Sequence, residues 1–446
     1  MILYIDNIRG FQDQFIELND VNFLVGENST GKTTVLSLLE LFSDERFLFS
    51  NFRNNKSINL GVFNEIISQN SKNKSFTIGI IANEEKDIFR TPFDAISLEF
   101  SNQGIEKIRY IKGKTFITFF NVSSGKLSYN ISKKNGNDAI DIEELKELIA
   151  LNNTDSNKFG IIIIPIERHS IPSQLSSITT SPIIFFLRAY ELFLFDIFKN
   201  QDIDDFDEFE KSFWPSNYDF FPFNDIKGVE AIRAKPQPFY TSNSEEERIP
   251  NILKDIYTNI KKGYNDKIIN QLEGFGKSSG LYDKIIIKKE PDKSYFEIQF
   301  NLHGKTLGIT NVGYGISQVL PIITDIVYNP ENTIYLIQQP EVHLHPKAQA
   351  FLGQFFFDQA FEDNKKFIIE THSDFIIDRF RLMVRKSKKK DVHKRVNILF
   401  FETTEEGNKV TKIELDKNGD YPDDQPDKFR DFFFKEQLNL LGFGEE

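Results

Sequence analysis

The chain has no cysteine, only two methionines and a single tryptophan. Without thiols it can form no disulfide, run no thiolate chemistry and build no cysteine-ligated zinc site. Positive charge is in deficit too: 54 lysines and arginines face 66 acidic residues, a net charge of −12. The overall field therefore repels nucleic acid, and a DNA contact requires a local basic patch. No apolar run reaches membrane-spanning length and no leader pattern is recognisable, so a soluble, cytoplasmic protein without membrane contact is expected. Sustained heptads are also missing, and with them the expectation of a long coiled coil. Phenylalanine is abundant, at 46 residues, and is read as composition rather than function. A chain of 446 residues has ample length for two or three domains or lobes.

The stretch that organises the rest is Gly26-Glu27-Asn28-Ser29-Thr30-Gly31-Lys32-Thr33, between the apolar run Val21 to Val25 and a helix-patterned segment, Thr34 to Phe42. Its spacing, G-x-x-x-x-G-K-[ST], is the Walker A pattern. Gly26 and Gly31 let the backbone turn its N–H groups around phosphates, Lys32 reaches the β and γ oxygens, and the Thr33 hydroxyl ligates Mg²⁺. Asn28, Ser29 and Thr34 complete the nucleotide-binding stretch, and the helix after it points its positive end at the same phosphates. The expected cofactors are ATP and Mg²⁺.

Along the chain, Ile2 to Ile5, Phe15 to Leu18 and Val21 to Val25 read as strands. Strand-like alternation resumes at Phe76 to Ala82, Ser97 to Phe100, Ile105 to Ile111, Phe116 to Val122 and Lys126 to Ile131, a β-rich lobe. Residues 140 to 151 are helical in period. Phe159 to Pro165 reads as a buried strand ending at Glu167, Arg168 and His169. Residues 181–230 read as a helical insertion with an aromatic-rich tip, dividing residues 1–180 from residues 231–446. Ile232 to Tyr240 is a Pro-punctuated loop carrying Arg233 and Lys235. Ile249 to Lys262 is helix-like, and strands return at Ile285 to Lys288, Tyr295 to Phe300 and Thr306 to Ile309. A basic patch runs through Arg379, Arg381, Arg385, Lys386, Lys388, Lys389, Lys390, Lys394 and Arg395; a solvated surface or an anion site both fit it.

Three further motifs follow in order. Asn311 to Gln318, with Gly313 and Gly315, is a glycine-punctuated loop opening an apolar helix, Val319 to Val327. The buried strand Thr333 to Ile337 runs into Gln338-Gln339-Pro340-Glu341-Val342-His343-Leu344-His345-Pro346. The strand Phe367 to Ile369 leads into Glu370-Thr371-His372-Ser373-Asp374. Parallel strands with polar C-terminal ends bring those residues to one edge, where open α/β sheets bind ligands.

With these motifs the chain resembles the ABC-type head ATPases of the RecF, SMC and OLD group, and is similar to the ATPase subunits of the bacterial anti-phage systems Septu and PARIS. GENSTGKTT, VGYGISQVLPII, LIQQPEVHLHP and ETHSD carry the resemblance, with support from IRAKPQPFY and the stretch from Leu415 to Phe434. It implies an α/β fold, an ABC-type head with a mixed sheet, a P-loop and a β-rich lobe. It also implies that His372 contacts the γ-phosphate and that Gly313 and Gly315 close the P-loop site of a second copy, so that a homodimer or higher homo-oligomer is part of the mechanism.

The chain departs from the family where it most often carries charge. The magnesium-binding acidic position after the strand is Gln338, and the catalytic Glu position is Gln339. An amide is neither charged nor a general base. Hydrolysis is therefore expected to be weak unless Glu341 takes over, whether in a naturally slow, switch-like ATPase or through an engineered Glu-to-Gln change that traps ATP. The leading expectation is an ATPase that senses or regulates for an effector nuclease in phage defence, with DNA or a phage component as trigger. A RecF-like DNA-repair ATPase and a non-hydrolysing nucleotide-bound scaffold are the alternatives.

Overall fold

The computed structural model describes residues 1–42, 60–68, 74–82, 94–112, 115–120, 128–134, 140–150, 161–163, 226–229, 237, 239–241, 252, 266–289, 295–426 and 428–429. The chain forms two compact units, each discontinuous in sequence. One comprises Met1–Leu18, Ser29–Asp225 and Glu402–Val410, the other Asn19–Asn28, Ile226–Phe401 and Thr411–Glu446. Among the described residues no helix is long and apolar enough to cross a membrane.

In the first unit, the alternating segments of the N-terminal half pair as an antiparallel sheet. Its strands are β1 (Ile2–Asp6), β2 (Gln14–Glu17), β4 (Ser75–Ile81), β5 (Ala95–Ser101), β6 (Gly104–Lys112), β7 (Thr115–Phe120), β8 (Ser128–Lys134) and β9 (Ile161–Ile163). Their order is β2-β1-β4-β5-β6-β7-β8-β9, antiparallel at every step. Helices α1 (Lys32–Phe42), α2 (Phe63–Ile66) and α3 (Ile142–Ala150) belong to this unit. Asp141 starts α3 with a reciprocal cap: its Oδ1 accepts from Glu144 N at 2.8 Å, and Glu144 Oε2 accepts from Asp141 N at 3.2 Å. Leu145 and Ile149 of that helix then bury against Ile2, Tyr4, Ile81, Ala95 and Ile111. Each such aliphatic side chain contributes roughly 1.5–3 kcal/mol on burial.

The second unit owes its order to strands that are apolar on both faces, the pattern of a covered parallel sheet. These are β3 (Val21–Gly26), β15 (Ile334–Gln338), β16 (Lys366–Glu370) and β17 (Val396–Thr404), joined at the edges by the half-exposed β10 (Ile226–Val229) and by β18 (Gly407–Glu414). The order is β10-β15-β16-β3-β17-β18, and every pairing from β10 to β17 is parallel. A second sheet is built on β13 (Tyr295–Leu302), flanked by β12 (Lys284–Lys289), β11 (Tyr240–Thr241) and β14 (Lys305–Gly308), all antiparallel to it.

Helices α4 (Asp266–Ser279), α5 (Tyr314–Tyr328), α6 (Pro346–Phe361) and α7 (Asp374–Lys386) complete the second unit. Here the phenylalanines do structural work. Phe356 meets Phe367 at 5.2 Å, Phe357 meets Phe380 at 5.4 Å, Phe23 meets Phe380 at 5.1 Å, and Phe275 meets Phe355 at 5.6 Å. Successive phenylalanines on α6 thus point in different directions and are all buried, as expected of a helix enclosed on several sides. Tilted and edge-on pairs of this kind contribute about 0.5–1.5 kcal/mol each beyond burial.

Several expectations change. The glycine-loop helix begins at Tyr314, not Val319. Helix α4 was not anticipated, because Gly274 and Gly276 interrupt an otherwise amphipathic pattern. Of the expected helical insertion, the described residues Ile226–Val229 form a strand, β10, paired with β15; the rest lies outside the described residues. So do Glu167, Arg168, His169, Arg233, Lys235 and, apart from Ile252, the segment Ile249 to Lys262.

On α6, burial and the nearby charge of Glu362 push the Asp358 carboxyl from 3.8 up to about 6. Folding therefore favours its protonated form. That contribution is full below pH 3.8 and is lost as pH rises through about 6. Asp358→Asn should raise stability at pH 7.5 by roughly 1 kcal/mol after allowance for solvent screening, with a higher melting temperature, and give no gain at pH 3.5. Thermal melts at the two pH values check this.

Candidate nucleotide site

Strand β3 ends at Gly26, residues 27–31 form the loop, and α1 begins at Lys32. Two glycines are required by the backbone. Gly26 has φ +134° and an added Cβ would stand 2.0 Å from the Phe401 carbonyl oxygen; Gly31 has φ +96° and its Cβ would fall 2.3 Å from the Phe11 ring. Ser29 is also left-handed, at φ +64°. Glu27, Asn28, Ser29 and Thr33 are exposed, whereas Thr30, Lys32 and Thr34 are buried.

The Thr34 hydroxyl accepts from Arg9 Nη1 at 3.2 Å, while Arg9 Nη2 donates to Leu60 O at 2.8 Å. Thr34 therefore has its side chain committed to anchoring α1. Arg9, which sequence reasoning missed, is the anchor. A glycine cradle with no room for Cβ atoms, a lysine at the first helical position and the N–H groups of a helix start fit the phosphates of a nucleotide. No group of three or more His, Cys, Asp or Glu able to hold a metal occurs among the described residues. Magnesium would arrive with the phosphates, with the Thr33 hydroxyl as a ligand.

Strand β15 ends at Gln338, directly paired with Glu370 at the end of β16, which in turn pairs with Leu24 of β3. Gln339 turns left-handed at φ +41° and donates its N–H to Glu370 O at 2.8 Å. The turn continues with Leu344 N donating to Glu341 O at 2.9 Å. The Glu341 carboxylate accepts from Thr371 Oγ1 at 2.9 Å and from His372 N at 2.7 Å, one bond to each oxygen. Enclosure raises the Glu341 pKa first of all, and the charge of Glu370 adds to the rise against the opposing hydrogen bonds. This carboxylate ties the loop after β15 to the segment after β16. Beyond it the His372 ring is exposed. Ser373 caps α7, accepting from Ile376 N at 3.3 Å, and donates to Gln349 Oε1 at 2.6 Å.

The start of α5 packs on the same loop. Gly313 is an exposed N-cap with open space where a Cβ would go, but a Cβ on Gly315 would meet His343 O at 2.8 Å and Leu344 Cδ2 at 3.2 Å. Gly315 thus lies in the first helical turn, where close packing requires it, rather than in a loop. The Tyr314 ring, itself exposed, stands edge-on to His343 at 4.7 Å. His345 is a helix cap: its Nδ1 accepts from Lys347 N at 3.4 Å, and Pro346 follows at the first helical position.

A model of the AAA ATPase domain matches residues 1–377. The chain belongs to that family. It is an ATP-binding ATPase of α/β fold. Solved structures similar to this ATPase include an SMC head bound to the C-winged helix domain of ScpA, 14% identical with TM-score 0.44, covering 93% of this chain and 98% of that one. A second is an SMC head with an extended coiled coil bound to the C-terminal domain of ScpA derived from Pyrococcus furiosus, at 13% and 0.41, covering 99% and 98%. A third is the SMC head domain from Thermotoga maritima, at 10% and 0.37, covering 93% and 98%. No curated protein matches.

The basic patch of this ATPase is largely consumed internally. Arg379 bonds Gln354 Oε1 at 2.6 Å and lies over Phe351; Arg381 pairs with Asp378 at 2.8 Å and lies 3.6 Å over Tyr421. Arg385 pairs with Asp420 at 2.5 Å and Lys394 with Asp391 at 3.2 Å. Lys389 donates to Phe361 O, and Arg395 pairs with Asp20. Lys386, Lys388 and Lys390 stand outside these pairings.

Glu341→Ala would strip the Thr371 hydroxyl and the His372 N–H of their shared acceptor. A loss of about 2 kcal/mol is expected, with faster amide exchange at His372 than in the wild type. Thermal melts and hydrogen exchange measure both.

Proposed function

We propose that this ATPase is a slow, switch-like device that holds ATP and regulates a partner. In this reading the backbone of Gly26, Asn28, Ser29, Gly31 and Thr34 cradles the phosphates, Lys32 holds the β and γ oxygens, and Thr33 faces magnesium. The His372 ring, carried on a backbone fixed by Glu341, faces the γ-phosphate. Gly313 and Gly315, at the start of α5, close the corresponding site of a second copy, so that nucleotide binding drives homodimerisation or higher assembly. Exposure of Gly313 and Tyr314 supports that surface role.

The observation that carries the slow-switch reading is the pair of amides at Gln338 and Gln339, placed at the end of β15. Neither can take a proton from water or offer magnesium a full negative charge. The nucleotide is therefore retained rather than turned over quickly. Similarity to the ATPase subunits of Septu and PARIS supports a place in anti-phage defence, in the cytoplasm, with an effector nuclease as the regulated partner and DNA or a phage component as trigger; this support is associational.

Lys32→Ala should abolish binding of a fluorescent ATP analogue. Gln338→Glu should raise steady-state turnover about tenfold or more and shorten the lifetime of the ATP-bound oligomer in sedimentation experiments. Fast turnover by the wild-type protein, or no gain from Gln338→Glu, would contradict the slow-switch reading.

A further inference from the structure

We propose that Asn408, in the turn between β17 and β18, is a positioning residue for the phosphate loop, acting through the turn at residues 8–11. The inference rests on the nucleotide reading of Gly26 to Thr33 and deepens it by assigning what holds the second half of that loop. Every residue it uses lies in the first unit, within residues 1–18, 29–68 or 402–410.

The support begins at Gly31. A Cβ there would fall 2.3 and 2.4 Å from two ring carbons of Phe11 and 3.5 Å from Asn408 Nδ2, so ring and amide together close the space behind the residue that precedes Lys32. Phe11 is fully buried. It ends a tight turn closed at both ends: Phe11 N donates to Ile8 O at 2.7 Å, and Ile8 N donates to Phe11 O at 3.2 Å. Arg9 and Gly10 form the tip, with left-handed backbone at φ +43° and +91°. A non-glycine residue in that region is strained and persists only where its surroundings fix it.

Two sets of hydrogen bonds fix it. The tip's N–H groups go to one neighbour: Arg9 N donates to Ile66 O at 2.8 Å and Gly10 N to Ser68 Oγ at 2.9 Å. Its carbonyls go to the other. Asn408 N donates to Gly10 O at 2.8 Å, and Asn408 Nδ2 donates to Arg9 O at 2.9 Å. Thr403 Oγ1 donates to Asn408 Oδ1 at 2.9 Å, which sets the direction of the amide. A Cβ on Gly407 would stand 2.3 Å from Gly10 O, so the two turns meet backbone to backbone. One residue therefore serves both tip carbonyls and also lies against Gly31. The same tip carries the Arg9 side chain to Thr34 in the first turn of α1. Releasing it frees Phe11 to withdraw from Gly31 and Arg9 from Thr34, and the loop's N–H groups lose the fixed direction that phosphate binding uses.

The test measures affinity of the full-length protein for a fluorescent ATP analogue, together with amide exchange in the peptide that carries Gly31 and Lys32. Asn408→Ala should lower the affinity about three- to tenfold, the equivalent of one or two hydrogen bonds, and speed that exchange. Thr404→Ala is the control, because Thr404 Oγ1 bonds Gly407 O at 2.9 Å within the same turn. It should loosen the turn while leaving affinity at the wild-type value. Phe11→Leu, which withdraws the ring from Gly31, should weaken binding as well. Combined with Asn408→Ala it should cost less than the product of the two single losses, since both act through one contact. Wild-type affinity in Asn408→Ala, an equal loss in Thr404→Ala, or fully multiplicative losses in the double variant overturns the assignment. If Asn408→Ala does not fold, Asn408→Asp decides, because it keeps the acceptor for Thr403 and removes the donor to Arg9 O: a severalfold loss supports the assignment, and wild-type affinity overturns it. Failure of the wild-type protein to bind the analogue at all would instead sink the nucleotide reading, and this inference with it.

Discussion

The parallel pairing of β16 between β15 and β3 is the constraint on which the second unit's chemistry depends. Gln338, Glu370 and Leu24 are locked level with one another by that ladder. A slip of one residue would turn Glu370 toward Phe23 and Ile337 in the core and carry Ile369 to the other face. Such a slip is expensive because the core-facing residues of these strands are almost fully buried. Hydrophobic burial, which carries no directional information itself, thereby fixes where the polar strand ends emerge.

On that frame, residues 339–345 act as a junction. Gln339 bonds back to the end of β16, Glu341 holds Thr371 and His372, His343 receives the close approach of Gly315, and His345 caps α6. Four elements meet on seven residues. Left-handed backbone at Gln339 and His343 is the conformational cost of so tight a path. The return is that the His372 backbone is held by contacts within the protein itself.

Much of this was legible in the sequence because it is local. The phosphate loop, its strand and its helix follow from spacing within twenty residues, and the apolar runs ending at Gln338 and Glu370 predict buried parallel strands. What escaped is what depends on contacts distant in sequence. Arg9 reaches Thr34 across 25 positions of sequence, and no motif marks it. Gly315 looked like loop flexibility, yet its reason is a carbonyl 28 positions away, at His343. Glu341 read as the acid that could take over hydrolysis, whereas Thr371 and His372 had to be folded beside it for its hold on them to show. Phenylalanine abundance looked like compositional drift and proves, in the second unit, to be the filling around α6.

The same distinction governs charge. Counted along the chain, nine cations between Arg379 and Arg395 suggest a surface for anions. Placed in the fold, six of them are engaged within the second unit, five of these with other segments. Arg381 and Arg385 fasten the 418–421 turn to α7, Arg379 covers Phe351 on α6, and Arg395 clasps Asp20 before β3. A guanidinium already paired and stacked can engage a phosphate only by giving up those contacts. Within this patch, Lys386, Lys388 and Lys390 are the cations left for an outside anion. The patch is therefore better understood as the fastening of α7, the helix capped by Ser373.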